Sequence, residues 1–138
     1  DQLTAYSAPA ESRRLLVIDD DEVARYLFRN LLRDTSFVVS EAASGAEGVE
    51  MARLHKPDVI VCDMRLPGMS GLEVMGLLEG HASTRGIPVV MTTAKKLSAD
   101  EHQTLERRGV TVLPKEALAH GDAAAELRRT LERVGTGT

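Results

Sequence analysis

The chain has no tryptophan and only two tyrosines and two phenylalanines among its 138 residues. So few rings exclude the aromatic platforms on which single-stranded nucleic acid stacks. A single cysteine, Cys62, excludes an intrachain disulfide and reads as a small buried hydrophobe in a reducing compartment. No apolar run approaches the roughly 18 residues that a membrane-spanning helix needs. Positive charge is short as well: 17 basic residues stand against 21 acidic ones, a net charge of −4, which argues against non-specific attachment to DNA. No basic start followed by an apolar stretch marks a signal peptide, and the first residue is Asp, so the chain reads as a piece taken from something longer. These absences predict a cytoplasmic domain with no direct contact to nucleic acid or membrane.

What is present is alternation. LLVI at 15–18, FVVSE at 37–41, DVIVCD at 58–63, IPVVMT at 87–92 and GVTVL at 109–113 are short apolar runs rich in branched residues, and each reads as a strand. Between them lie segments with helical spacing of apolar residues, over 22–33, 44–55, 70–80 and 98–108, with a last one over 122–134. Three of these open on capping boxes: Ser44 with Glu47, Ser70 with Glu73, and Ser98 with Glu101. RLPGMS at 65–70 reads as a loop. Five β-then-α units of this kind predict an α/β domain over 13–134, a parallel sheet covered on both faces. Residues 1–12 read as a linker and 135–138 as a tail. Pro114, which has no N–H to donate, suits an edge strand.

Polar groups collect at the carboxyl ends of these strands. Asp19 and Asp20, with Asp21 beside them, follow the first strand; Asp63 ends the third; Thr92 and Thr93 end the fourth; Lys115 follows the fifth. In open α/β sheets ligands bind outside that edge. Each residue has a plainer explanation: one aspartate capping the first helix, Asp63 starting an Asx turn, a satisfied strand threonine, a solvated lysine. The plainer explanations must treat four strand ends as four coincidences, and they leave the run of three aspartates, which raise one another's pKa, without a cause. Clustered carboxylates call for a cation, and hard oxygen donors with room for water suit Mg²⁺ beside a phosphate. A lysine and a hydroxyl complete what phosphoryl transfer requires, which is positioning and charge neutralisation.

LLVIDDDEVARYLFRNLL, VIVCDMRLPGMSGLEVM, PVVMTTA and VTVLPK together resemble the receiver domain of two-component response regulators, over about residues 13 to 133. The resemblance implies a flavodoxin-like, doubly wound five-stranded sheet of order 2-1-3-4-5 with five helices. It implies that Asp63 accepts a phosphoryl group from a histidine kinase or a histidine phosphotransfer domain. It implies a Mg²⁺ site made of Asp20 as direct ligand, Asp19 acting mainly through water, Asp63 itself and the backbone carbonyl of Arg65. Thr93 matches the switch hydroxyl and Lys115 the lysine of the site, while Asp21 is left to cap the first helix. There are departures. Glu116 stands where proline usually follows the lysine, and a cis bond to Glu would cost about 3–4 kcal/mol. Val112 stands where an aromatic residue usually moves with the threonine. Arg65 puts a long cation beside the phosphoryl pocket. The Lys-Glu-Ala-Leu stretch after the fifth strand and the linker-like start resemble receivers carried at the C-terminus of hybrid histidine kinases, with a stand-alone receiver as the runner-up.

Two other classes fit parts of the pattern. Asp19-x-Asp21-x-Val23 matches the opening of haloacid-dehalogenase-type phosphatases, and Gly121-Asp122 imitates their late acidic motif. That assignment leaves Asp63 without a role and places no apolar strand before Asp122. A pseudo-receiver, a binding module that carries no phosphate, would have no use for all of Asp19, Asp20, Asp63, Thr93 and Lys115. The arginines at 107, 108, 128 and 129 read as solvated helix faces, and the apolar helix stripes are not wide enough to argue dimerisation through the fourth or fifth helix, which leaves a monomer or a weak dimer open.

Overall fold

The structure, a computed structural model, describes residues 12–94 and 96–136. Five strands form one parallel sheet: β1 (Arg13–Ile18), β2 (Phe37–Ala42), β3 (Val59–Asp63), β4 (Val89–Thr93) and β5 (Thr111–Pro114). Their order across the sheet is β2-β1-β3-β4-β5, as expected, with β2 and β5 at the edges. Five α-helices follow the strands: α1 (Glu22–Leu31), α2 (Gly45–His55), α3 (Gly71–Glu79), α4 (Ala99–Arg107) and α5 (Ala123–Thr136).

The pleat divides the strand residues between two cores. Leu16, Ile18, Ile60, Cys62 and Met91 pack with Ala52, Val74, Met75, Leu78 and Leu105 under α2, α3 and α4. Leu15, Val17, Val59, Val61 and Val90 pack with Phe28, Leu32, Leu127 and Leu131 under α1 and α5. This is why the strands read as continuous apolar runs: both faces are covered.

The helix starts follow their caps. Asp21 accepts a hydrogen bond from Val23 N and opens α1. Ser70 and Ser98 form complete capping boxes with Glu73 and Glu101. The box expected at Ser44 is only half formed, because the Glu47 carboxylate accepts from Ala43 N rather than from Ser44 N. Several boundaries differ from the sequence expectation for local reasons. The strand expected from Gly109 begins at Thr111, since Gly109 (φ 68°) and Val110 donate to Glu106 O and Leu105 O and close the end of α4. The strand expected from Ile87 begins at Val89, since Ile87 N is tied to Thr84 O in a turn. The helix expected to run to 33 ends at Leu31, where Arg33 and Thr35 turn back onto Asn30 and Leu32. The expected 65–70 loop is a tight antiparallel ribbon, Arg65–Leu66 against Met69–Ser70, with Gly68 at φ 77° after Pro67. Residues 115–119 form a 3₁₀ turn. The expected linker lies outside the described residues except for Ser12, and the tail is shortened because α5 continues through Thr136. Among the described residues no helix is long and apolar enough to cross a membrane.

Candidate functional site

Strand register brings the two key carboxylates side by side. Ile18 pairs with Cys62, so the next residues, Asp19 and Asp63, leave adjacent strands at the same level. Asp63 pairs with Thr92 on the other side. Asp19 extends the ladder through its N–H to Ala42 O. Asp19 and Asp63 are buried, at 1% and 5% exposure, whereas Asp20 is exposed. Oxygens of Asp19, Asp20 and Asp63 lie within 4.8 Å of one another.

Lys115 reaches this cluster from the end of β5. Its Nζ lies 2.7 Å from Asp19 Oδ2 and donates to Asp63 Oδ2 at 2.9 Å. Burial opposes the ammonium, but the two carboxylates outweigh burial and hold Lys115 above its ordinary pKa. Burial raises the pKa of Asp19, with the Asp63 charge adding to it; the Lys115 ammonium and the N–H of Asp21 act in the opposite direction. The contact between Nζ and Asp19 Oδ2 is a close ion pair without the alignment of a hydrogen bond. Lys115 thus bridges two of three clustered carboxylates, and a buried oxygen of Asp19 keeps unused acceptor capacity. A hard divalent cation fits this donor set.

The loop after β3 is shaped to hold Asp63 still. Arg65 N donates to Asp63 Oδ1 at 3.0 Å. Gly71 N donates to Met64 O at 2.9 Å, and a Cβ on Gly71 would stand 2.8 Å from Asp63 O and 2.9 Å from Met64 Cα, so only glycine permits this approach. Thr93 is buried at the end of β4 and lines a groove with Ala94, Leu97, His102, Val112 and Pro114. Val112, the departure noted above, therefore borders the space beside the threonine.

Two residues of the site escaped the sequence reading. Arg25, on α1, donates through Nη1 to the backbone carbonyl of Asp19 at 2.7 Å and through Nε to Glu41 at 3.1 Å. A lone arginine on a helix gives no sequence signal for this; its side chain is largely covered, unlike that of a solvated lysine. Glu101 accepts from both terminal nitrogens of Arg65, one at 2.9 Å, and also caps α4. Its capping role was legible, its partner was not. Asp21 and Asp122, which the phosphatase pattern would need, are not members of the carboxylate cluster.

The sequence pattern described as the response regulator receiver domain matches residues 15–126. The polar-differentiation response regulator DivK of Brucella ovis is 35% identical over 92 residues, which cover 67% of this chain and 75% of that protein. Among solved structures, the chemotaxis protein CheY4 of Vibrio cholerae superposes with a TM-score of 0.76 at 27% identity, over 89% of this chain and 98% of that one. The receiver domain of the sensor histidine kinase PA1611 from Pseudomonas aeruginosa superposes with a TM-score of 0.76 at 26% identity, over 92% of this chain and 99% of that one. That structure has a magnesium ion coordinated in its active-site cleft.

Proposed function

The chain belongs to the response regulator receiver-domain family of two-component signalling, and on that premise we propose that Asp63 is its phospho-acceptor, charged from a phosphohistidine donor on a kinase or phosphotransfer domain. The observation that carries this reading is Lys115 Nζ bridging Asp19 and Asp63, with Asp20 completing a cluster open to solvent on one side.

A carboxylate oxygen of Asp63 forms a bond to phosphorus as the P–N bond to the donor imidazole breaks, and the departing nitrogen takes a proton. Lys115 stays within reach of the oxygens on which charge gathers, and its raised pKa keeps it cationic throughout the neutral range. Asp19, Asp20, Asp63 and the carbonyl of Arg65 would hold Mg²⁺, whose chemistry is to neutralise and orient phosphoryl oxygens. The Thr93 hydroxyl turns toward the new dianion and carries the β4–α4 loop with it, a shift between two populated arrangements. The donor approaches beside the start of α1, which follows the aspartates directly and carries the exposed Val23. A net charge of −4 supports a signalling rather than a DNA-binding role, and a kinase domain as donor goes with a cytoplasmic setting.

The test is intact mass after incubation with a small acyl-phosphate donor, with and without Mg²⁺. A gain of one phosphoryl group that needs Mg²⁺ and disappears in Asp63→Asn supports the reading. Loss of the modification in Asp19→Asn instead, together with turnover of phosphate esters, would favour the phosphatase. No gain under any condition would mark a binding module that never carries phosphate.

A further inference from the structure

Arg65 touches the site and a distant helix at once. Its backbone N–H holds Asp63 Oδ1, while its guanidinium grips the Glu101 carboxylate with two parallel hydrogen bonds. Glu101 is the third residue of α4, and the oxygen that receives Arg65 Nη2 also accepts from Ser98 N, closing the capping box. The first turn of α4 is therefore clamped to the loop that carries Asp63, across 36 residues of chain.

We infer that the Arg65–Glu101 pair is a charge-operated latch: it holds the start of α4 against the Asp63 loop and releases it when Asp63 is phosphorylated. The inference rests on Asp63 being the phospho-acceptor. Three features support it. Both side chains are reached by solvent, at 47% and 23% exposure, so their bond exchanges at small cost. Asp63 already accepts from the backbone N–H of Arg65, and a phosphoryl dianion on it, two residues from the guanidinium's own Cα, offers a stronger, forked partner than the single charge of Glu101. Val112 leaves the fifth strand without an aromatic ring to move with Thr93, so α4 needs another line to the site. The latch supplies the differential contact that a two-state shift requires, since one arrangement of Arg65 is favoured before charging and the other after.

Amide hydrogen exchange of the peptide spanning 96–105, read by mass spectrometry on the whole chain, tests this, with intact mass followed in the same samples. Charging the wild type with acyl phosphate and Mg²⁺ speeds exchange in the first turn of α4 by about two- to fivefold, the range for loss of one exposed ion pair. In Glu101→Gln, which keeps an oxygen for the capping box, exchange is already fast before charging and changes little afterwards; Arg65→Gln behaves alike. A full mass gain with unchanged wild-type exchange, or a Glu101→Gln variant that responds as the wild type does, overturns the latch alone. Absence of any mass gain overturns the latch together with the phospho-acceptor reading.

Discussion

Asp19, Asp20 and Asp63 cluster three carboxylates, two of them bridged by Lys115, and like charges this close are expected to cost stability in the absence of a cation. The cost divides unequally. Asp19 is buried and partly compensated by Lys115, the Asp21 N–H and, through its carbonyl, Arg25. Asp20 is exposed and adds repulsion. In chelator, Asp20→Asn is therefore expected to raise the stability measured by urea unfolding by about 1 kcal/mol, the water-like end of the Coulomb range at this separation. Added Mg²⁺ is expected to stabilise the wild type more than the variant. A fall in the metal-free stability of Asp20→Asn would show that the cluster is not under electrostatic strain. The role of Asp21 was legible in the sequence because a cap needs only a neighbour two residues on. The role of Arg25 was not, because it depends on where the end of β1 lies in space.

The starts of α1 to α4 are each set by a side chain capping the first turn, and α4 shows how local and distant forces share one side chain. Glu101 satisfies the Ser98 N–H and takes up the Arg65 guanidinium, and the two hold its pKa at about 2, with Arg65 the larger cause. A carboxyl depressed in the fold contributes stability that is fully present above its ordinary value and is lost as pH falls through the folded value. NMR titration of the Glu101 carboxyl is thus expected to show a midpoint near 2, moving back toward 4.5 in Arg65→Gln. A midpoint that ignores the Arg65 substitution would mean that the cap alone sets it. At the other end of α4 the limits of sequence reading are plain. Gly109 and Val110 continue the apolar run of β5, yet their N–H groups terminate the helix before them. An apolar run shows that residues are covered, not which hydrogen bonds they make.

The two cores share one sheet, so the faces ought to fail together. Phe28, on α1, is fully buried in the core that α1 and α5 cover, while Cys62 belongs to the core under α2, α3 and α4. Phe28→Ala removes a large side chain from a site with no exposure and is expected to cost 3–5 kcal/mol, roughly half the stability of a typical domain. The Cys62 thiol reports this from the opposite face. Burial, and then the charges of Asp63 and Asp19, push its pKa up to about 12, so in the fold it is neutral and covered at pH 8. It is labelled only when the domain opens. Phe28→Ala is expected to speed its labelling by roughly a hundred- to several-thousandfold, the factor that this cost makes in the opening equilibrium, and an unchanged labelling rate beside a lowered urea midpoint would show that the faces open separately.

Alternating apolar runs, serine caps and the order of Asp19, Asp20, Asp63, Thr93 and Lys115 were legible along the chain, since each pattern is made by residues within a few positions or by their simple succession. The resemblance carried by those motifs supplied the sheet order, which the strand pairing bears out. The ribbon after β3, the placement of Lys115 between two aspartates, the grip of Arg25 on the Asp19 carbonyl and the Arg65–Glu101 pair were decided in three dimensions. They depend on strand register and on which rotamer lets a long side chain cross a gap, and neither quantity is written in local spacing.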